Sequence, residues 1–132
     1  MEYLGDSMEA SKLLIKNIDL SEQKKSSFLG GNCLLTAGTF YSELGEHEMA
    51  INYLSKALLI FRRYEGTEWT AAVGKTQIVL GSVYHQLGDY STALKCYLEA
   101  KEIMWENNDY KSFGNVVIKI RDCYHNMKKS DA

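Results

Sequence analysis

The sequence predicts an all-α fold, a solenoid of helix-turn-helix repeats, and three observations support this prediction. Residues 31–45 and 74–88 share a sparse pattern of glycine, tyrosine and leucine-glycine at corresponding places, 43 residues apart. Within each copy, apolar residues recur at the three- and four-residue spacing of one helix face. No segment sustains the period-two alternation that is typical of a strand. A sequence period of this length is the signature of a repeat architecture.

Length and composition limit the classes of protein. The 132 residues suffice for one domain with its own core, and the apolar and charged fractions are those of a soluble globular chain. A net charge of −2 leaves no basic footprint for nucleic acid or an anionic membrane, and no apolar run approaches the ~20 residues that span a bilayer. Three cysteines without a CxxC pair, and no signal peptide at the N-terminus, predict reduced thiols and a cytoplasmic location.

The repeats divide the chain into four parts of one domain, residues 1–132. The ungapped match between the two full copies joins these pairs: Gly31 and Gly74, Gly38 and Gly81, Tyr41 and Tyr84, Leu44 and Leu87, Gly45 and Gly88. A third copy at 114–128 keeps Gly114 and Tyr124, and LGDSMEA at 4–10 parallels LGEHEMA at 44–50. We therefore expect a partial repeat at 4–20, full repeats at 22–64 and 68–106, and a terminal half-repeat at 110–128.

Each copy is expected to form helix A, a tight turn and helix B. Gly45 and Gly88 stand where a helix end requires a positive φ. Polar residues that can accept hydrogen bonds are expected to cap the helices that follow: Asp6 and Asp89 for B helices, and Ser21, Thr67 and Asp109 for A helices. Polar linkers at 19–22, 65–68 and 107–109 are expected to separate the copies. The pattern predicts roughly six helices.

The small residues that repeat have a packing explanation. Gly38 with Ala50, and Gly81 with Ala93, are expected to let helices A and B of one copy approach closely. Ala57 and Ala100 are expected to do the same between helix B and the next helix A.

This pattern resembles the tetratricopeptide repeat (TPR) family over nearly the whole chain. The better copy carries Leu80-Gly81, Tyr84, Leu87-Gly88, Tyr90, Ala93, Tyr97 and Ala100, and the other carries Gly38, Tyr41, Leu44-Gly45, Ala50 and Ala57. The period exceeds the common 34 residues of the family and the chain has no proline, which resembles the long-repeat subclass of kinesin light chains, spindle-orientation adaptors and bacterial peptide-sensing regulators. The resemblance implies a right-handed superhelix with the A helices on its concave side.

The residue types favour no catalytic, metal or cofactor site. His85 and His125 are expected on neighbouring A helices, whose separation of about 8–10 Å is wide for one metal ion, and His47 is expected to face solvent. Cys123 and His125, two residues apart on a helix, point in different directions, and Cys33 and Cys96 are expected to pack between helices. No phosphate-binding loop, EF-hand or HExxH motif is present. The chain is therefore predicted not to be an enzyme and to need no cofactor.

The resemblance implies instead a groove for a peptide or protein segment. Carrying the family's concave positions onto this sequence gives seventeen predicted groove residues: Asn32, Leu35, Thr36, Thr39, Ser42, Glu43, Lys75, Ile78, Val79, Ser82, His85, Gln86, Asn115, Ile118, Lys119, Asp122 and His125, with Asn126 beside them. The carboxylate clamp of the TPR proteins that bind chaperone tails is missing, because Leu35, Thr36 and Thr39 occupy its place. The alternative is that these residues form only the hydrated face of a solenoid.

The sequence leaves two functions open. The first is a non-catalytic module that binds a protein or peptide partner in the groove of the A helices. The alternative is a structural self-association module, in which chains complete each other's open ends. The final helix could mediate such homo-oligomerisation, because its apolar set is too large for one neighbour to cover: Val116, Val117, Ile120, Cys123, Tyr124 and Met127. A regulator that is switched by a small signalling peptide is less favoured, since no effector domain accompanies the repeats.

Overall fold

The computed structural model describes the backbone of residues 2–131 and the side chains of residues 20–129. It contains five α-helices: α1 (Glu2–Glu43), α2 (His47–Phe61), α3 (Thr67–Gln86), α4 (Tyr90–Glu106) and α5 (Tyr110–Asp131). Between residues 2 and 131 there is no strand. The prediction of an all-α helical solenoid is confirmed.

The helices stack in chain order. Each packs against the next, from α1 on α2 to α4 on α5, and α1 also contacts α3. Consequently α1, α3 and α5 lie side by side on one surface of the stack, and α2 and α4 form the opposite surface.

The three short turns share one geometry. Gly45, Gly88 and Asn108 adopt positive φ angles of 79°, 83° and 61°, and the backbone N–H of the next residue donates to the carbonyl five residues before it. These bonds are Glu46 N to Tyr41 O, Asp89 N to Tyr84 O and Asp109 N to Met104 O, each 2.9 Å long. The positive φ predicted for both glycines is confirmed. Residues 107–109, expected as a linker between copies, form the same tight turn.

The structure confirms two of the predicted helix caps and corrects a third. Asp89 accepts a hydrogen bond from Thr92 N at 3.3 Å, and Asp109 accepts one from Ser112 N at 3.2 Å, so both are confirmed. Hydrogen bonding to Ser112 also lowers the pKa of the Asp109 carboxyl from its usual value. The cap predicted at Thr67 is wrong, because Gly66 holds that position with φ 138° and no side-chain bond.

The N-terminal helix corrects the predicted break between the partial repeat and the first full repeat. The backbone is helical without interruption from Glu2 to Glu43, so the linker at 19–22 and the caps at Asp6 and Ser21 are wrong, and five helices replace the expected six. Glycine inside a helix costs only about 1 kcal/mol, and residues 19–22 contain neither glycine nor proline to stop the helix. The division of the chain into repeats stays a prediction.

Close approach of A and B helices occurs at the repeated glycines. A Cβ atom added at any of four of them would lie 2.6 to 2.7 Å from a side chain of the following helix: Gly31 from Phe61, Gly38 from Leu54, Gly74 from Met104 and Gly81 from Tyr97. The contacting residues also repeat at 43 positions. Gly38 and Gly81 thus face Leu54 and Tyr97, whereas Ala50 and Ala93 were expected. Both alanines are nonetheless fully buried, as are Ala57 and Ala100.

A polar link joins the loop after α2 to α3 and α4. Arg62 Nη2 lies 2.7 Å from Glu99 Oε1. Gln77 Nε2 donates to the other carboxylate oxygen of Glu99 at 2.9 Å. The loop after α2 is therefore tied to both helices that follow it.

Candidate binding groove

The surface formed by α1, α3 and α5 presents the predicted groove residues to solvent. None of the seventeen is buried. A binding surface must be accessible to solvent, and these residues meet that condition. Their accessibility alone does not show which of them act together.

One cavity of about 470 Å³ lies between α3 and α5. Residues from three helices line it: Ser82, His85 and Gln86 from α3, Tyr90 and Tyr97 from α4, and Lys119, Asp122 and Asn126 from α5. The structure therefore brings together five predicted groove residues from two copies, with Asn126 beside them. We call this the α3/α5 cavity.

Hydrogen bonds order the walls of the α3/α5 cavity. Ser82 Oγ and Tyr97 Oη are 3.2 Å apart, and Asn126 Nδ2 lies 2.6 Å from His85 Nε2, which joins α5 to α3. The His85 ring also meets the edge of Tyr90, with centroids 5.3 Å apart. Burial raises the pKa of the Tyr97 phenol, so this group stays neutral and can donate a hydrogen bond at physiological pH.

The chemistry of the α3/α5 cavity suits neutral polar groups. Hydroxyls, amides and an imidazole supply both donors and acceptors, while Lys119 and Asp122 contribute one charge of each sign. Such a set can bond the N–H and C=O groups of an extended backbone. It offers no excess charge to a strongly acidic or strongly basic ligand.

Several predicted groove residues lie elsewhere. Leu35, Ile78 and Val79 pack partly against core clusters. Thr36 and Thr39 donate their hydroxyls to the carbonyls of Asn32 and Leu35 in their own helix, at 2.9 and 2.8 Å.

Two further groups are separate from the α3/α5 cavity. Asn32 and Thr36 line a shallow concavity of about 630 Å³ on the far side of α1. Asn115, Ile118 and His125 are exposed on α5 but do not line the cavity.

Tyr90 and Tyr97 are cavity residues that the sequence reasoning missed. They belong to α4, a B helix, whereas the family's pattern directs attention to A helices. One signal was present: Tyr97 stands where the first copy has Leu54. A hydroxyl at a position that is otherwise apolar indicates a nearby polar partner, and Ser82 is that partner.

Two expectations about histidine and cysteine need correction. His47 is half-buried and its Nδ1 has no hydrogen-bond partner, so it does not simply face solvent. Cys33 is exposed rather than packed between helices, whereas Cys96 and Cys123 are buried. Burial raises the pKa of Cys96 to about 11 and raises that of Cys123. Among residues 20–129, no three His, Cys, Asp or Glu side chains gather as metal ligands.

The comparisons with known proteins agree with this geometry. A family model described as tetratricopeptide repeat matches residues 32–104, from the second half of α1 through most of α4. No curated protein and no solved structure matches the chain. In the part of the chain that the structure describes, no helix is both long and apolar enough to cross a membrane. Because the family model covers more than half of the chain and the helices repeat as described, the chain belongs to the tetratricopeptide repeat family.

Proposed function

We propose that this protein is a non-catalytic interaction module that binds an extended protein or peptide segment along α1, α3 and α5. Tetratricopeptide repeats generally mediate contacts between proteins. The observation that carries the proposal is the α3/α5 cavity, where five predicted groove residues converge on one hydrogen-bonding surface. An extended segment that lies there finds partners for its backbone groups on both cavity walls.

The preferred ligand in this proposal is a segment of low net charge. Lys119 and Asp122 contribute one charge of each sign to the cavity lining, and the other lining residues are hydroxyl, amide and imidazole side chains. We place the module with the long-repeat members of its family, because its full copies are 43 residues apart. All three cysteines are free thiols, which supports a place for this adaptor or scaffold in the reducing cytoplasm.

Selection of random peptides displayed on phage tests this proposal without a known partner. Ser82→Arg places a long cation in the α3/α5 cavity, and we expect it to abolish binding of the selected peptides. Ser91→Arg is the matched control, since Ser91 is exposed in the first turn of α4 and does not line the cavity. We expect the control to bind as the unmodified chain does.

Circular dichroism of both variants confirms that the helices are retained. If the selected peptides bind equally well to Ser82→Arg and to the unmodified chain, the α3/α5 cavity is not the binding site.

A further inference from the structure

Each A helix carries one face that a preceding B helix can cover. In α3 this face includes Thr76, Leu80 and Val83, and in α5 it includes Val116 and Cys123. All five side chains are buried. Leu80 and Val83 share a core cluster with Ala50 and Leu54 of α2, and Val116 and Cys123 share one with residues of α4. Among residues 20–129, no B helix lies on the same positions in α1.

The corresponding residues of α1 form an open face, which we define as Leu29, Cys33, Ala37, Phe40 and Tyr53, the last from α2. Leu29 is 62% exposed and Phe40 is 56% exposed. Together they line most of the shallow concavity of about 630 Å³ on the far side of α1. A contiguous apolar surface of this kind marks an interaction site.

Residues 4–20 carry the sequence of a B helix that fits this face. Leu4-Gly5 and Ala10 match Leu44-Gly45 and Ala50, and Leu14 then meets Leu54 at the same offset of 40 residues. Ala50 and Leu54 are the fully buried residues of α2 that share a core cluster with Leu80 and Val83 of α3. Ala37 and Phe40 of the open face are the equivalents of Leu80 and Val83. Repeat equivalence therefore predicts that Ala10 and Leu14 contact Ala37 and Phe40, as Ala50 and Leu54 share a cluster with Leu80 and Val83.

The continuity of α1 decides which copy supplies this segment. Residues 4–20 belong to the same helix as the open face, a helix of 42 residues that is about 60 Å long. A segment that continues the helix axis cannot turn back to lie antiparallel on the same helix, as α2 lies on α3. It can lie on the corresponding face of another molecule.

We propose that residues 4–20 of a second copy of this chain cover the open face, so that two chains exchange these segments through an antiparallel pair of α1 helices. A two-fold axis makes the contact reciprocal, because Leu14 of each chain meets Ala37 and Phe40 of the other. Both open faces are then covered at once. The interface lies apart from the α3/α5 cavity, so the proposal does not depend on the proposed function.

Sedimentation of the full chain over a wide concentration range tests this interface. We expect a dimer, and we expect Leu29→Glu to raise its dissociation constant at least about tenfold, since the carboxylate would be buried without a partner. Leu59→Glu is the matched control, because Leu59 is a leucine of α2 that is 71% exposed and lies outside the open face. It should leave the dimer unchanged.

Three sedimentation results would overturn the proposal. The first is a chain that stays monomeric across the whole range. The second is an equal effect of Leu29→Glu and Leu59→Glu. The third is dissociation by Val117→Glu but not by Leu29→Glu, which would move the interface to α5. Circular dichroism establishes that each variant remains folded.

Disulfide trapping then identifies the segment that covers the face. In a Cys33→Ser background, one population carries Leu14→Cys and the other carries Ala37→Cys, with distinguishable tags. Oxidation of the mixture should give a disulfide between the two tagged chains, which is seen on a non-reducing gel. A chain that carries both substitutions and forms only an internal disulfide would overturn the exchange, because the segment would then fold back within one molecule.

Discussion

Helices α3 and α5 occupy equivalent places in the repeat, but their small residues behave differently. In α3, Gly74 and Gly81 lie against side chains of α4, with no room for a Cβ atom. At the corresponding places in α5, a Cβ on Gly114 would meet no atom within 4 Å, and Arg121 is exposed. Within residues 20–129, no helix follows α5 as α4 follows α3. The glycine requirement thus belongs to the contact between two helices and not to helix A itself.

The largest expected effect comes from a bulky residue between α3 and α4. Ala93 is fully buried in α4, so we expect Ala93→Phe to separate the helices and cost about 1–3 kcal/mol of unfolding free energy. Lys95→Phe, on the exposed side of the same helix, should change stability very little. Urea unfolding midpoints measure both variants, and equal shifts at the two positions would contradict the helical register described here.

Alanine substitutions at Gly81 and at Gly114 should change the free energy of unfolding in opposite directions. The added methyl of Gly81→Ala would lie 2.6 Å from Tyr97 Cε1, so we expect a loss of the order of 1–2 kcal/mol. Gly114→Ala meets open space and removes a helix-interior glycine, which should stabilise the chain by about 0.5–1 kcal/mol. Thermal unfolding measures the shift in unfolding temperature of each variant. Shifts in the same direction would contradict the difference described between α3 and α5.

The smallest effect is expected at one of the turns. Gly88→Ala places a methyl group at φ 83° and should cost about 1 kcal/mol. Asn108→Gly, at φ 61° in the turn before α5, should change stability by no more than about 0.5 kcal/mol, because asparagine already tolerates this conformation. Chemical denaturation measures the change in unfolding free energy of both variants. A larger loss of stability for Asn108→Gly than for Gly88→Ala would show that the two turns differ despite their equal geometry.

Local signals in the sequence predicted most of the fold. Positive φ at Gly45 and Gly88, and the caps at Asp89 and Asp109, depend on a few neighbouring residues and were therefore predictable. The unbroken α1 was not. A glycine at residue 5 and polar residues at 19–22 each weaken a helix by about 1 kcal/mol or less, and whether the helix ends there depends on what the next segment packs against.

The α3/α5 cavity could be predicted only in part. Spacing along an A helix places Ser82, His85 and Gln86 on one face, and the structure keeps them together. Tyr97 reaches the same cavity from α4, where its hydroxyl lies 3.2 Å from Ser82 Oγ of α3. Distances of that kind depend on interhelical packing angles, which no pattern within one helix encodes.

The stacking of helices in chain order also bears on how the protein folds. Most helix contacts join chain neighbours, although α1 also reaches α3 and the Asn126–His85 hydrogen bond links α5 to α3. Contacts of short sequence separation lose little loop-closure entropy, which favours rapid folding. Because α2, α3 and α4 each have a packed helix on both sides, a folding nucleus can form among them and extend outward, and the two ends of the chain then join a structure that already exists.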